Sequence, residues 1–298
     1  MTLHRPGFTG SPIDRADHLR LDPAAIADLL KGGEARLLTL SGHDPVLGDD
    51  GRLAWSAPEP EAQELIFLGL REGSPLFAPL PKVETGQRAW GVFQILSRMR
   101  AEDAAIWGTA RGLIEWHNRH AFCANCGSAT AVFRAGWGRK CGACNAEHYP
   151  RVDPVVIMLA EHDGRVLLGR QPQYPPGRYS ALAGFLEPGE SIEEAVAREF
   201  MEEARLPVQN VRYVASQPWP FPGSLMIACI ADAETDAVTL DLTELEDAIW
   251  ADSDAVRAAL AGDPDAPFQA PPPYAIAHTL LRHWLDASDR LAAGGAPA

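Results

Sequence analysis

The chain has 298 residues, about two domains on length alone, and its 46% hydrophobic and 22% charged residues are those of a globular protein. A formal net charge of -14 repels phosphate backbones at long range and argues against general nucleic-acid affinity, while a bound metal could still invert the local field for a small anion. No apolar run reaches the roughly 18 residues of a membrane span, and MTLHRPGFTG has no basic segment followed by an apolar one, so the expectation is a cytoplasmic protein with no membrane partner.

Three regions follow one another without internal repeat: residues 1–117, 118–150 and 151–298. The first contains the strand-like pieces ARLLTL, LIFLGL and AWGVF and the turn GDDG at 48–51, and reads as a mixed α/β domain. Residues 101–117 have helical spacing, with Ile106, Ala110, Leu113 and Ile114 on one side. No catalytic pattern is visible here, and a scaffold or dimerisation role is the preferred reading.

The second region holds four of the five cysteines, as Cys123-x-x-Cys126 and, after fourteen residues, Cys141-x-x-Cys144. Each pair suits a tight turn, and a hairpin between them would assemble the closed four-thiolate tetrahedron of structural zinc. Gly127 and Gly142 follow cysteines where such turns need positive φ. A closed site has no open position for catalysis. Of two roles, a nucleic-acid-binding ribbon or a structural clasp, the clasp is favoured, because GSATAVFRAGWGRK carries only Arg134, Arg139 and Lys140 as cations. The fifth cysteine, Cys229, lies in the apolar run LMIACI and reads as core.

The third region opens with the buried-strand run VDPVVIMLA, the turn HDGR and the strand VLLGRQ. A helix over 191–204 follows a Gly/Pro loop. Strands are expected at VRYVASQ, SLMIACIA and AVTL, helices near 252–261 and 274–286, and a frayed tail at ASDRLAAGGAPA. Ser191 and Glu194 fit a capping box, and Ile192, Ala195, Val196 and Phe200 make the packed side of the 191–204 helix. Glu199, Glu202 and Glu203 fall at i, i+3 and i+4, so three carboxylates share one patch. Taken alone, this is a solvated acidic face. It becomes favourable where a hard cation such as Mg²⁺ or Mn²⁺ binds.

The preceding loop shifts that balance. Gly184-FLEPG-Glu190-SIEEAVA-Arg198-Glu199-Phe200-Met201-Glu202-Glu203-Ala204-Arg205-Leu206 resembles the Nudix box, G-x5-E-x7-R-E-U-x-E-E-x-G-U, with one departure: Arg205 stands at the second glycine. That glycine usually ends the helix in a left-handed conformation, so Arg205 must adopt it at some cost or end the helix differently. The resemblance implies that Glu199 and Glu203 are metal ligands, that Glu202 is a further ligand or the base, that Arg198 orients the glutamates, and that the Ala183 carbonyl is a backbone ligand.

Downstream, Ser216-Gln217-Pro218-Trp219-Pro220-Phe221-Pro222-Gly223-Ser224 resembles the SQPWPFPxS motif of the NADH pyrophosphatase (NudC) branch of that superfamily, and Tyr149-Pro150-Arg151 also fits the branch. The likeness runs from the cysteines to about residue 285. It implies an α+β chain: a Nudix α/β/α sandwich with a mixed sheet, preceded by a zinc ribbon and an N-terminal mixed α/β domain. It also implies substrate contacts from Tyr149 and from Gln217 through Ser224, a further metal glutamate at Glu244, a backbone contact at Ala277 and a homodimer. Three prolines would stiffen Trp219 and Phe221 into a preformed aromatic wall for a nicotinamide or adenine ring, with Phe185 able to supply the opposite face. The competing role for these rings is core packing. Where the branch can carry a glutamate beside the ribbon tryptophan, this chain has Gly136 next to Trp137. The activity implied is metal-dependent cleavage of NADH or NAD⁺ to (reduced) nicotinamide mononucleotide and AMP. Removal of NAD caps from RNA by the same site, or a non-catalytic regulatory module, are the alternatives.

Overall fold

The computed structural model describes residues 5–59, 64–82 and 91–294. The chain forms two compact units. One comprises residues 8–152 with 218–224; the other comprises 153–217 and 225–294 with 5–7.

In the first unit, α1 (Pro23–Lys31) starts under an Asp22 cap with proline in its first position. β1 (Arg36–Leu38), β2 (Leu40–Ser41), β3 (Asp44–Pro45), β4 (Trp55–Ser56), β5 (Leu65–Arg71) and β6 (Ser74–Pro79) follow. Four of them form a mixed sheet in the order β4-β1-β6-β5, with β1 parallel to β6 and antiparallel to β4. The strand expected at AWGVF is instead the start of a helix, α2 (Gly91–Leu96), while Ala89 and Trp90 lie outside the described residues. Val92 and Leu96 are its buried residues, four apart; a short apolar run does not by itself distinguish the two periods. The expected helix at 101–117 is α3 (Ala101–Arg119), and Ile106, Ala110, Leu113 and Ile114 are all buried. The ribbon strands β7 (Thr130–Phe133), β8 (Gly138–Cys141) and β9 (Glu147–His148) make an antiparallel three-stranded sheet.

The second unit is an α/β/α sandwich. Its strands are β10 (Asp153–His162), β11 (Arg165–Arg170), β12 (Leu182–Phe185), β13 (Val208–Trp219), β14 (Ser224–Ala233) and β15 (Asp247–Asp252); the sheet order is β13-β14-β10-β11-β15, with β12 on β10. Its helices are α4 (Ile192–Ala204), α5 (Ser253–Ala261) and α6 (Ile276–Ala292). Period-two alternation on β10 explains the layers. Val156, Met158 and Ala160 pack with Val196 and Phe200 of α4, whereas Ile157 and Leu159 pack with Val256 of α5 and with Leu280, Leu281 and Trp284 of α6. Cys229 is fully buried, as expected.

Two expectations fail here. AVTL is not a strand, because its backbone serves the end of α4: Thr239 N–H donates to the Ala204 carbonyl at 2.9 Å, and Asp241 N–H to that of Glu203 at 2.9 Å. The tail expected to fray after residue 286 continues α6 to Ala292, held by Arg257 of α5 in a two-pronged pair with Asp289 at 2.8 and 3.1 Å.

Candidate active site

The cysteine cluster assembles as two matching turns. Gly127 N–H donates to the Cys123 carbonyl and Asn145 N–H to that of Cys141, at 2.9 and 3.0 Å. The residue after each second cysteine is left-handed: Gly127 at φ 75° and Asn145 at φ 60°. The positive φ expected of Gly142 therefore falls on Asn145, whose short amide side chain tolerates that region. The four sulfurs lie within 4.8 Å of one another, with Cys123–Cys144 at 3.6 Å and Cys126–Cys141 at 3.5 Å. Zn–S bonds of about 2.3 Å give tetrahedron edges of about 3.8 Å, so the thiols fit structural zinc. The ribbon is fastened within its unit by Trp137, whose indole donates to the Phe67 carbonyl at 2.7 Å. Gly136 is there because a Cβ would meet Ile66 at 2.8 Å and because its φ is 94°, so a glutamate side chain does not fit at that position.

In the other unit, α4 begins with the capping box: Ser191 Oγ accepts from Glu194 N–H, and Glu194 Oε2 accepts from Ser191 N–H. It ends with Arg205 in the left-handed region, φ 52° and ψ 34°, while Leu206 N–H closes on the Phe200 carbonyl at 3.2 Å. The cap that glycine usually makes is kept, at a steric cost.

Arg198 spends all five of its N–H donors. Nε and Nη2 grip the two oxygens of Glu190 at 3.0 and 2.6 Å; Nη1 reaches Glu199 and Glu202, both at 2.8 Å; Nη2 also reaches the Phe185 carbonyl at 2.9 Å. These bonds hold the Glu190 carboxyl down at about 2. Glu190 is thus the anchor of the arrangement, a role that the spacing of the glutamates did not reveal. Gly184 on β12 is equally decisive. A Cβ there would lie 1.8 to 2.1 Å from the Glu199 carboxyl atoms, so that carboxyl rests directly against the β12 backbone, one residue from Ala183.

Glu199 and Glu203 are buried, and Glu202 and Glu244 are exposed. Burial raises the Glu199 carboxyl against the pull of Arg198. Burial, with repulsion from Glu199, Glu244 and Glu202, pushes Glu203 up to about 8. Among the described residues no donor pairs with the Glu203 carboxyl. Glu244 is brought alongside by the segment fastened to the end of α4, in a turn where Asp241 accepts from Thr243 N–H at 2.8 Å and Thr243 Oγ at 2.6 Å. A buried carboxyl without a donor and repelled by neighbouring carboxylates is costly by itself, and a divalent cation bound there would compensate it, although among the described residues the acidic oxygens do not converge within 4.8 Å as the four sulfurs do.

The remaining expected residues divide between the units. Phe185 is 60% exposed at the end of β12. Ala277 is buried in the first turn of α6. Gln217 is buried, its amide donating to the Gly7 and Tyr274 carbonyls while its oxygen accepts from Ile276 N–H. In the first unit, Tyr149 is 41% exposed and donates to Glu147 at 2.5 Å. The 218–224 segment also lies in this unit, with Pro218 and Pro222 exposed, Pro220 and Ser224 buried, and Trp219, Phe221 and Gly223 half-buried. Trp219 and Phe221 pack on each other at 5.1 Å and on Phe8 and Phe93, so packing supports the rings while part of each stays open.

Family models match along the chain in succession: an NADH pyrophosphatase-like rudimentary NUDIX domain over residues 28–116, an NADH pyrophosphatase zinc ribbon domain over 118–149, and a NUDIX domain over 150–270. The NAD-capped RNA hydrolase NudC of Mycobacterium bovis is 36% identical over 305 residues, covering 91% of this chain and 92% of that protein. The chain belongs to the NADH pyrophosphatase branch of the Nudix family. Also similar are human NAD-capped RNA hydrolase NUDT12, 40% identical over 84% of this chain and 54% of that protein, and human mitochondrial NAD(P)H pyrophosphatase NUDT13, 39% identical over 84% and 76%. The chain thus spans about half the length of NUDT12. Membership in this Nudix branch accounts for all three regions, including the first, where the sequence carries no catalytic pattern. No helix among the described residues is long and apolar enough to cross a membrane.

Proposed function

We propose that the chain hydrolyses the pyrophosphate of NADH or NAD⁺, releasing (reduced) nicotinamide mononucleotide and AMP. The observation that carries this reading is the buried, donor-less Glu203 beside Glu199 and Glu244, on a helix whose Arg198 is fully engaged in aligning carboxylates. In this reading Glu199, Glu203, Glu244 and the Ala183 carbonyl would hold Mg²⁺ or Mn²⁺. Bound there, such ions supply charge neutralisation of the pyrophosphate and activation of water. Arg198 fixes Glu199 and Glu202 in place. Glu202, exposed and reachable by solvent, takes the proton from the attacking water. Within the first unit, Tyr149 and the 218–224 segment would contact the nucleotide, with Trp219 and Phe221 as the ring wall; within the second, Phe185 and Ala277 would contact it, and Gln217 fastens the backbone at Gly7, Tyr274 and Ile276.

The test is Glu203→Gln. AMP release from NADH should fall by about 10²-fold or more with the melting temperature retained; turnover like that of the parent would refute the assignment. Cleavage of NAD caps from RNA is the second reading, favoured by the names that NUDT12 and the mycobacterial NudC carry. The bond is the same, so parallel assays on free NADH and on capped RNA rank the two. A regulatory module without catalysis is disfavoured by the intact carboxylates and would be eliminated by AMP release. The family likeness further supports a homodimer, checked by light scattering, and the paired thiols suit a reducing compartment such as the cytoplasm.

A further inference from the structure

The ring wall needs a backbone that stays put, and the first unit contains a residue built to hold it. Arg111 of α3 is 6% exposed. Its Nε donates to the Pro220 carbonyl at 2.9 Å, and its guanidinium lies 4.8 Å from the Phe221 ring and 5.7 Å from Trp107. Glu115, one turn along, meets Nη2 at 3.4 Å and is itself held by His43 Nδ1 at 2.9 Å. Beside them Gly108 leaves no slack: a Cβ would lie 3.0 Å from Phe8 and 3.5 Å from Pro220. A nearly buried cation with one donor on a loop carbonyl and its charge over that loop's aromatic ring fixes both the path of the loop and the tilt of its rings.

We propose that Arg111 is a positioning residue for base stacking: through Pro220 and Phe221 it locks the 218–222 loop so that Trp219 and Phe221 present a preformed face to the nucleotide ring. The proposal rests on the reading of these rings as the substrate wall. It gives α3 a part in substrate binding that the sequence of residues 1–117 does not advertise. Removing the guanidinium frees the loop, so binding of the ring weakens while the hydrolytic carboxylates are untouched.

The experiment compares Arg111→Met, Arg111→Lys, Trp219→Ala and the double variant Arg111→Met/Trp219→Ala. KM and kcat are measured on NADH, with inorganic pyrophosphate as a competitor that has no ring and the melting temperature as a control of folding. Arg111→Met should raise KM about tenfold, the scale of one base–aromatic stack, with little change in kcat or in inhibition by pyrophosphate. Arg111→Lys keeps the charge but offers one compact ammonium in place of a guanidinium that spans both carbonyl and ring, so its KM should be intermediate; it carries the test if the methionine variant does not fold. The double variant should have a KM no higher than that of Trp219→Ala alone, because both act through one wall. An unchanged KM, a matching loss of pyrophosphate inhibition, or multiplied effects in the double variant would overturn the role of Arg111. A parental KM in Trp219→Ala would instead sink the wall itself, and the proposal with it.

Discussion

Gly184 and Arg205 illustrate opposite uses of backbone freedom within one motif. Gly184 makes room: its missing side chain is where the Glu199 carboxyl sits. Gly184→Ala should therefore leave the fold standing, since a flexible carboxyl can swing aside, but should lower turnover by about 10²-fold through displacement of that carboxyl. A variant with parental kcat would contradict this account. Arg205 occupies a left-handed site that glycine would adopt without steric penalty. Because Leu206 N–H already completes the cap, Arg205→Gly should stabilise the chain by about 0.5–1 kcal/mol in urea unfolding, the steric relief being partly offset by greater freedom of the unfolded chain.

At the scale of elements, single side chains fasten segments distant in sequence. Helix α6 has no cap of its own at Ala275; Gln217 of β13 supplies the acceptor for Ile276 N–H and also ties down Gly7 and Tyr274. Gln217→Leu should cost about 1–3 kcal/mol, because it strands a buried donor and two carbonyls. His117 performs the same service between α3 and the ribbon. Its Nε2–H donates to the Gly136 carbonyl at 2.8 Å, and its Nδ1 accepts from Arg139 at 3.1 Å. Burial pushes it down to about 4, and Arg139 opposes a second ring proton. A base with a depressed pKa in the folded state stabilises the fold fully above its unfolded value of 6.5, and that contribution is lost as pH falls from 6.5 through 4. The loss should approach about 3 kcal/mol. It is read as the difference in unfolding free energy between the parent and His117→Gln across that window; parallel curves would exclude it.

For the molecule as a whole, the four-cysteine site should carry one zinc per chain, measured by elemental analysis, and chelation should lower the melting temperature of the ribbon. If stripped protein melted at the same temperature, the ribbon would not depend on its metal. Local pattern was enough for much of the architecture. The continuous apolar run of β10, the 3.6 period of α3 and α4, the capping box, the twin CxxC turns and the i, i+3, i+4 glutamates are all set by residues a few positions apart. The sequence alone therefore determined the zinc ribbon and the helix that bears the carboxylates, while the sandwich was implied by the family resemblance. Only the tertiary structure decided that residues 91–93 turn helical, that AVTL serves the end of α4 instead of joining a sheet, that Gly184 shelters Glu199, and that Arg111 grips Pro220, 109 positions away. The physical reason is range: periodicity records which face a residue turns inward, whereas the partner met there is selected by packing of the whole chain.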